Sequence, residues 1–122
     1  MVYKVLLDTN FLLIPSQFGV DIFEGIRAKL DVAYELEVLR QTVDELEKLR
    51  QEGNAHAKVA LSLLEAKKIK IISYAPKSYA DDALAELGKD EKVYVATQDK
   101  GLKRRVKKKI FVRQKKYIEV VE

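Results

Sequence analysis

Cysteine and tryptophan are absent from this sequence, histidine occurs once, and proline and glycine number only two and five. Without cysteine there is no disulfide framework, no thiolate zinc site and no cysteine nucleophile. A single histidine, His56, excludes a His-rich metal site and argues against a Ser-His-Asp triad. No apolar run reaches the 18 or more residues that a membrane span needs. The opening segment, MVYKVLLDTN, is a short apolar run that stops at an aspartate; it has the pattern of a buried strand and not of a signal peptide. These absences lead to the expectation of a soluble cytoplasmic domain. The chain has 122 residues, 48% of them hydrophobic, which suits one domain over residues 1–122 with its own core. Charged residues make up 34%, dominated by Lys and Glu, a composition that leans towards a thermophilic source.

The net charge of +4 hides an asymmetry. Ten of the 23 basic residues lie between Lys100 and Lys116, a stretch with no acid; 13 remain in the rest of the chain, against all 19 acidic residues. A basic patch on an acidic body is the footprint of a polyanion binder, although a lysine-rich helix face can also be simple solvation.

Hydrophobic periodicity divides the chain without repeats or linkers. Strands are predicted at residues 2–7, 32–39, 69–73, 92–97, 110–112 and 117–121. Helices are predicted at 21–30, 42–51, 54–68, 78–87 and 99–108, with Asn54 as a cap and Gly88 as a stop. Pro15 and Pro76 fall between elements. Strands alternating with helices imply a three-layer α/β sandwich with a mostly parallel central sheet.

In such a sheet, functional groups gather beyond the carboxyl ends of the strands. Asp8 ends the first strand, and Asp99 follows the strand at 92–97. Glu45 lies one turn into the helix after the second strand, and Asp81 and Asp82 one turn into the helix after the third. All start from the same edge. Converging carboxylates without His or Cys suit a hard cation such as Mg²⁺, and two such ions can clamp a phosphodiester. The basic stretch begins immediately after Asp99, so a phosphate backbone drawn to it would pass the acids. Each acid also has a structural reading. Thr42 with Glu45, and Ser78 with Asp81, have capping-box form; Asp82 suits a first helical turn, and Asp99 suits an N-cap. Asp8 alone, ending a buried apolar strand, has no such reading.

The order of these pieces resembles a PIN domain, the metal-dependent nuclease fold, over essentially the whole chain. VLLDTN at residues 5–10 resembles its opening strand and first acid, and VDELEKL at 43–49 its second motif. YADDALAE at 79–86 resembles the third, whose acid precedes a small-apolar pair and so selects Asp82 over Asp81. VATQDKGLKRR at 95–105 resembles the fourth. The endings LKRRV and ADDAL look closest to the branch with the eukaryotic small-subunit ribosomal RNA processing nuclease and its archaeal relatives; toxins of toxin–antitoxin pairs share the fold and acids. The resemblance implies about five parallel strands and a Mg²⁺- or Mn²⁺-dependent endoribonuclease holding one or two ions on Asp8, Glu45, Asp82 and Asp99, with Asp81 the alternative third ligand. It implies that Asn10 and Thr97 orient waters or carboxylates, and that Lys100, Lys103, Arg104, Arg105, Lys107 and Lys108 contact RNA phosphates. The partners it implies are RNA and either an antitoxin or a ribosome-assembly partner.

Other residues have simpler roles by expectation. His56 is a surface or packing residue. Tyr74, Tyr79 and Tyr94 have faces that could stack on bases, but tyrosines near strand ends favour half-buried core positions. Phe18 lies in a loop near Pro15. Val20, Ile22, Phe23 and Ile26 exceed what one small core needs, which leaves room for a homodimer. Two further functions compete with the nuclease: a non-catalytic RNA-binding ribosome-assembly factor on the same fold, and a receiver-like signalling domain. The second is disfavoured because the strand at 69–73 offers no acceptor aspartate.

Overall fold

A computed structural model describes all 122 residues. Six strands form one sheet: β1 (Tyr3–Leu7), β2 (Tyr34–Leu39), β3 (Lys70–Ile72), β4 (Val93–Ala96), β5 (Lys108–Arg113) and β6 (Tyr117–Val121). Their order is β3-β2-β1-β4-β5-β6. The first five are parallel, and β6 returns antiparallel against β5. The expected sheet of about five parallel strands is therefore present, with β6 as an added edge.

Seven helices connect and cover it: α1 (Thr9–Leu12), α2 (Ile14–Phe18), α3 (Ile22–Lys29), α4 (Arg40–Gln51), α5 (Ala55–Ala66), α6 (Ala80–Leu87) and α7 (Lys100–Lys103). Alternation along β1 assigns the layers. Val5 and Leu7 join the larger core with Phe11, Ile26, Leu46 and Ala60, from α1, α3, α4 and α5. Leu6 points the other way, into a smaller core with Leu84 of α6 and Leu102 of α7. Both faces are covered, as a parallel sheet requires. From β1 the chain crosses outward to β2 and β3, and later returns on the other side to β4. The carboxyl ends of β1 and β4 thus lie side by side at the switch point, where a crevice opens.

Several boundaries differ from the sequence reading. α4 starts two residues early, at Arg40, so Thr42 is an internal, fully buried residue whose hydroxyl has no partner. The Thr42–Glu45 capping box does not form. α6 starts at Ala80 after Tyr79, so Ser78 caps nothing either. The helix expected over residues 99–108 is the four-residue α7. Five cations in a longer helix would face one another at i, i+4 spacing. Instead the Lys107 amide donates to the Gly88 carbonyl at 2.9 Å and the chain enters β5 at Lys108. Residues 9–18 form α1 and α2 where no helix was expected; Pro15 sits in the first turn of α2, where its missing N–H costs nothing. Asn54 caps α5 as expected, accepting from the Ala57 amide at 3.1 Å. Ile22, Phe23 and Ile26 are buried in the chain's own core, so the apolar surplus that suggested a homodimer is used internally. No helix is long and apolar enough to cross a membrane.

Candidate active site

The crevice at the carboxyl edge has a volume of about 380 Å³ and is lined by Asp8, Thr9, Asn10, Glu45, Tyr79, Asp81 and Asp99, among others. Asp8 is its floor. It follows the buried end of β1, is only 7% exposed, and caps α1 by accepting from the Thr9 amide at 2.8 Å. Its second oxygen accepts from the Thr97 hydroxyl at 2.7 Å and from the Asn10 amide at 3.2 Å. Burial pushes its carboxyl above the usual range; the hydrogen bonds from Thr97 and Thr9 pull the other way, while the nearby charges of Glu45 and Asp99 push it up further.

The residues around Asp8 form one hydrogen-bonded frame across the switch point. Thr97 is fully buried at the end of β4; its hydroxyl also accepts from the Asp99 amide at 3.1 Å. Asn10 accepts from the Gln98 amide at 2.9 Å. Gln98 extends the β4–β5 ladder with its side chain, accepting from the Val112 amide at 2.6 Å and donating to its carbonyl at 2.9 Å. Thr9 donates to Glu45, which fixes that exposed carboxylate of α4 over the crevice. Asp99 caps α7 through the Leu102 amide at 2.8 Å. Thr9 and Gln98 were not singled out by sequence reasoning. Their signal was position: each lies between two singled-out residues, in Asp8-Thr9-Asn10 and Thr97-Gln98-Asp99.

The structure separates the acidic pair of α6. Asp81 lines the crevice, whereas Asp82 pairs with Arg105 at 3.1 Å. Adjacent helical residues point about 100° apart, so only one can face the crevice. Asp81, the alternative third acid, is thus the one that lines the crevice in this arrangement.

The crevice offers only oxygen donors, which suits a hard divalent cation. The mutual repulsion felt by Asp8 shows negative charge concentrated around it, which a cation would relieve. The acids stand around the crevice and no three of them are closed on one point. Asp8, Glu45 and Asp99 are each held by protein donors instead.

The basic residues divide into two groups. Parallel register places the start of β5 towards the amino edge, away from the crevice: Lys108 pairs with Tyr94, and Ile110 with Ala96. Lys107 and Lys108 therefore lie away from the acids, beside Glu91 at 3.6 Å and Glu122 at 3.7 Å. Arg105 is engaged with Asp82. Lys103 sits over the Phe111 ring at 4.1 Å, and Arg113 approaches the same ring at 5.7 Å. Partial burial lowers the Lys103 ammonium pKa, and the charges of Lys100, Arg113 and Lys109 lower it further. Lys100, Lys109 and Arg113 thus lie near enough to Lys103 to act on its charge, beside Asp99, with Arg113 also paired to Glu119 at 3.3 Å. Arg104 is exposed beside it.

The tyrosines also divide. Tyr94 is buried, as expected, but Tyr74 is 36% and Tyr79 81% exposed. His56 packs at a helix contact, its Nδ1 2.7 Å from the Ser16 hydroxyl.

Comparisons with known proteins agree with this architecture. The chain is 34% identical over 127 residues to Ribonuclease VapC4 of Methanocaldococcus jannaschii, covering 97% of this chain and 96% of that protein. It is 38% identical over 108 residues to the rRNA-processing protein FCF1 of Saccharomyces cerevisiae, but spans only 55% of that longer protein. The solved PIN domain endonuclease Utp24 superposes with a TM-score of 0.80 at 27% identity, over 97% of this chain and 90% of that one. PAE2754 from Pyrobaculum aerophilum shares the fold, with a TM-score of 0.54 at 18% identity. The family model described as a PIN-like domain matches residues 5–115, and with that match over nearly its whole length the chain belongs to the PIN-like domain family.

Proposed function

We propose that this protein is a Mg²⁺- or Mn²⁺-dependent endoribonuclease that hydrolyses RNA phosphodiester bonds in the crevice above Asp8. The observation that carries this reading is the buried carboxylate of Asp8 at the switch point, held by Thr9, Thr97 and Asn10, with Glu45, Asp81 and Asp99 lining the same crevice. Ribonuclease VapC4, FCF1 and Utp24 support RNA as the substrate.

Asp8, Glu45, Asp81 and Asp99 would hold one or two ions. When bound, divalent ions activate water and stabilise charge on the scissile phosphate. The chain's own residues do the rest. Thr97 and Asn10 fix the direction of the Asp8 carboxylate, and the Thr9 hydroxyl fixes Glu45. Holding ligands in place before the reaction avoids a reorganisation cost during it. The cluster of Lys100, Lys103, Lys109 and Arg113 attracts the phosphate backbone beside Asp99.

The test is cleavage of a mixed-structure RNA by purified protein with Mn²⁺, with Mg²⁺ and with EDTA, alongside Asp8→Asn. Metal-dependent cutting that the variant lacks supports the reading. Undiminished cutting by Asp8→Asn overturns the site assignment. No cutting by the wild type, with salt-sensitive RNA binding retained, supports the RNA-binding assembly factor instead. An antitoxin reading frame adjoining the gene would place the protein with the toxins, and its absence with ribosomal RNA processing.

A further inference from the structure

Tyr79 is the most exposed aromatic residue of the chain, and it stands on the rim of the crevice. Of the other exposed aromatic rings, Phe18 has Lys115 over it at 5.3 Å and Tyr117 has Lys116 at 5.6 Å, while Tyr74 is less exposed and lines neither the crevice nor the cavity beside it. The Tyr79 ring has no cation over it and no aromatic neighbour. Leaving so large an apolar face in water has no value for the fold, since Tyr79 contributes nothing to either core.

Its surroundings are built. The acidic crevice continues past Tyr79 into a second cavity of about 320 Å³ between α4 and the start of α6. Gln41, Asp44, Lys48 and Ser78 line it, and Glu45, Tyr79 and Ala80 border both spaces. The loop that presents Tyr79 is tied down. The Gln41 side-chain amide donates to the carbonyls of Tyr74 and Ala75, each at 2.9 Å. The Ser78 amide closes a turn on the Ala75 carbonyl at 2.8 Å, and Ala75 holds a left-handed φ of 45° to make that turn. A backbone fixed before binding leaves only the side-chain torsions of Tyr79 to be ordered when something stacks on its ring. The second cavity carries two acids and one lysine, so it suits a neutral planar group better than a phosphate. Its amide and hydroxyl groups can meet the edge of such a group.

We infer that Tyr79 is a stacking platform for an unpaired nucleobase next to the phosphate held over Asp8, with the base lodged in the cavity between α4 and α6. This rests on the proposed RNA substrate and adds a specificity: the strand must be unpaired at the site, because a paired base cannot leave its stack without cost. Tyr79 acts on binding and placement of the strand and takes no part in the chemistry.

The test is binding of a labelled unpaired oligoribonucleotide, and of the same sequence as a duplex, by anisotropy in EDTA. Tyr79→Ala is expected to weaken unpaired RNA roughly 5- to 150-fold, the range for losing one base–aromatic stack, and to leave duplex binding unchanged. Tyr79→Phe retains the ring face and is expected to bind as the wild type does. An abasic scan of the oligonucleotide should reveal one position at which wild type and Tyr79→Ala bind equally. Because Tyr79 lies outside both cores, the Ala variant should melt with the wild type, which a thermal scan checks. Equal affinity of Tyr79→Ala and wild type for unpaired RNA, or equal losses for unpaired and duplex RNA, overturns the inference. Cleavage by wild type with Mn²⁺ is measured in parallel. Cutting without a Tyr79 effect sinks this inference alone, whereas a Tyr79 effect without cutting sinks the nuclease reading alone.

Discussion

Asp8 combines two demands that conflict. Its position requires burial against apolar strand residues, and its charge is opposed by burial and by Glu45 and Asp99. Its folded pKa is raised, so in the metal-free protein the ionised form destabilises the fold above the usual carboxylate range, and the penalty vanishes below it. Asp8→Asn keeps the shape and removes the charge; the Thr97 hydroxyl can rotate to accept from the new side-chain NH2, but the Asn10 side-chain NH2, 3.2 Å from the same position, loses its acceptor. In EDTA the melting point of the variant relative to wild type is therefore expected to rise as pH climbs out of the acid range; a difference that stays constant with pH would contradict this. Tyr94 shows the opposite case, a group whose burial strengthens the fold while it stays neutral. Its hydroxyl donates to Glu122 at 3.1 Å, and burial with that neighbour pushes its pKa up to about 12. Its stability contribution is complete below about pH 10 and is lost as pH rises towards 12, at about 1.4 kcal/mol per pH unit. Wild type should therefore lose thermal stability over that window faster than Tyr94→Phe, as melts at stepped alkaline pH would record. The sequence made Asp8 legible because an acid closing a buried strand has few other uses. It did not resolve Asp81 from Asp82, because their difference is a rotation about a helix axis whose start lies two residues from the expected one, and an Arg105 partner that only the fold supplies.

Helices and strands whose apolar spacing is long enough were legible as elements: α3, α4 and α5 coincide with predicted helices, and all six strands fall on predicted ones. What the pattern could not show is how closely elements approach. Gly25, in the middle of α3, is an example. A Cβ there would lie 2.2 Å from the Ile118 Cγ1 of β6, so the missing side chain is what lets α3 dock on the edge strand. Helix propensity alone would favour alanine at that position. Gly25→Ala is instead expected to destabilise by about 1–3 kcal/mol, the usual cost of overpacking. In an Ile118→Ala background, which is itself destabilised, Gly25→Ala should cost less than it does in wild type, because the clash falls on the Ile118 side chain. Urea unfolding of both variants distinguishes close packing from a mere loss of propensity: a stabilised single variant would remove the packing argument. The same blindness to tertiary contact explains α7. Its basic residues read as one long helix by composition, yet α7 stops at Lys103, and the hydrogen bond from Lys107 to Gly88 directs the turn that follows into β5 at Lys108.

At the scale of the whole molecule, the sheet register decides which of the ten clustered basic residues can serve the crevice. A sequence read as one helix treats them as a single patch. The fold divides them by the alternation of side chains along β5, leaving Lys107 and Lys108 with acidic neighbours and putting Lys109 and Arg113 on the face of Phe111 that Lys103 covers, near Asp99. Within the second group Arg113 is paired with Glu119 at 3.3 Å, while Lys100, Lys103 and Lys109 have no acidic partner, and burial and mutual repulsion lower the Lys103 pKa. An approaching phosphate relieves that repulsion and releases its own counterions, so binding by this cluster must weaken as salt rises. Each phosphate contact to a single strand contributes about 0.7 to the slope of log affinity against log salt. Replacing Lys100, Lys103 and Lys109 together by Ala should reduce that slope by roughly 2, with affinity falling most at low salt. Replacing Lys107 and Lys108 by Ala should leave it unchanged, although two basic charges are removed and net charge alone would predict about two thirds of the first effect. A titration of unpaired RNA at several salt concentrations in EDTA separates the two cases. An equal loss of slope per charge removed in the two sets would mean that net charge and not placement attracts the RNA, and the crevice would then lose its electrostatic guide.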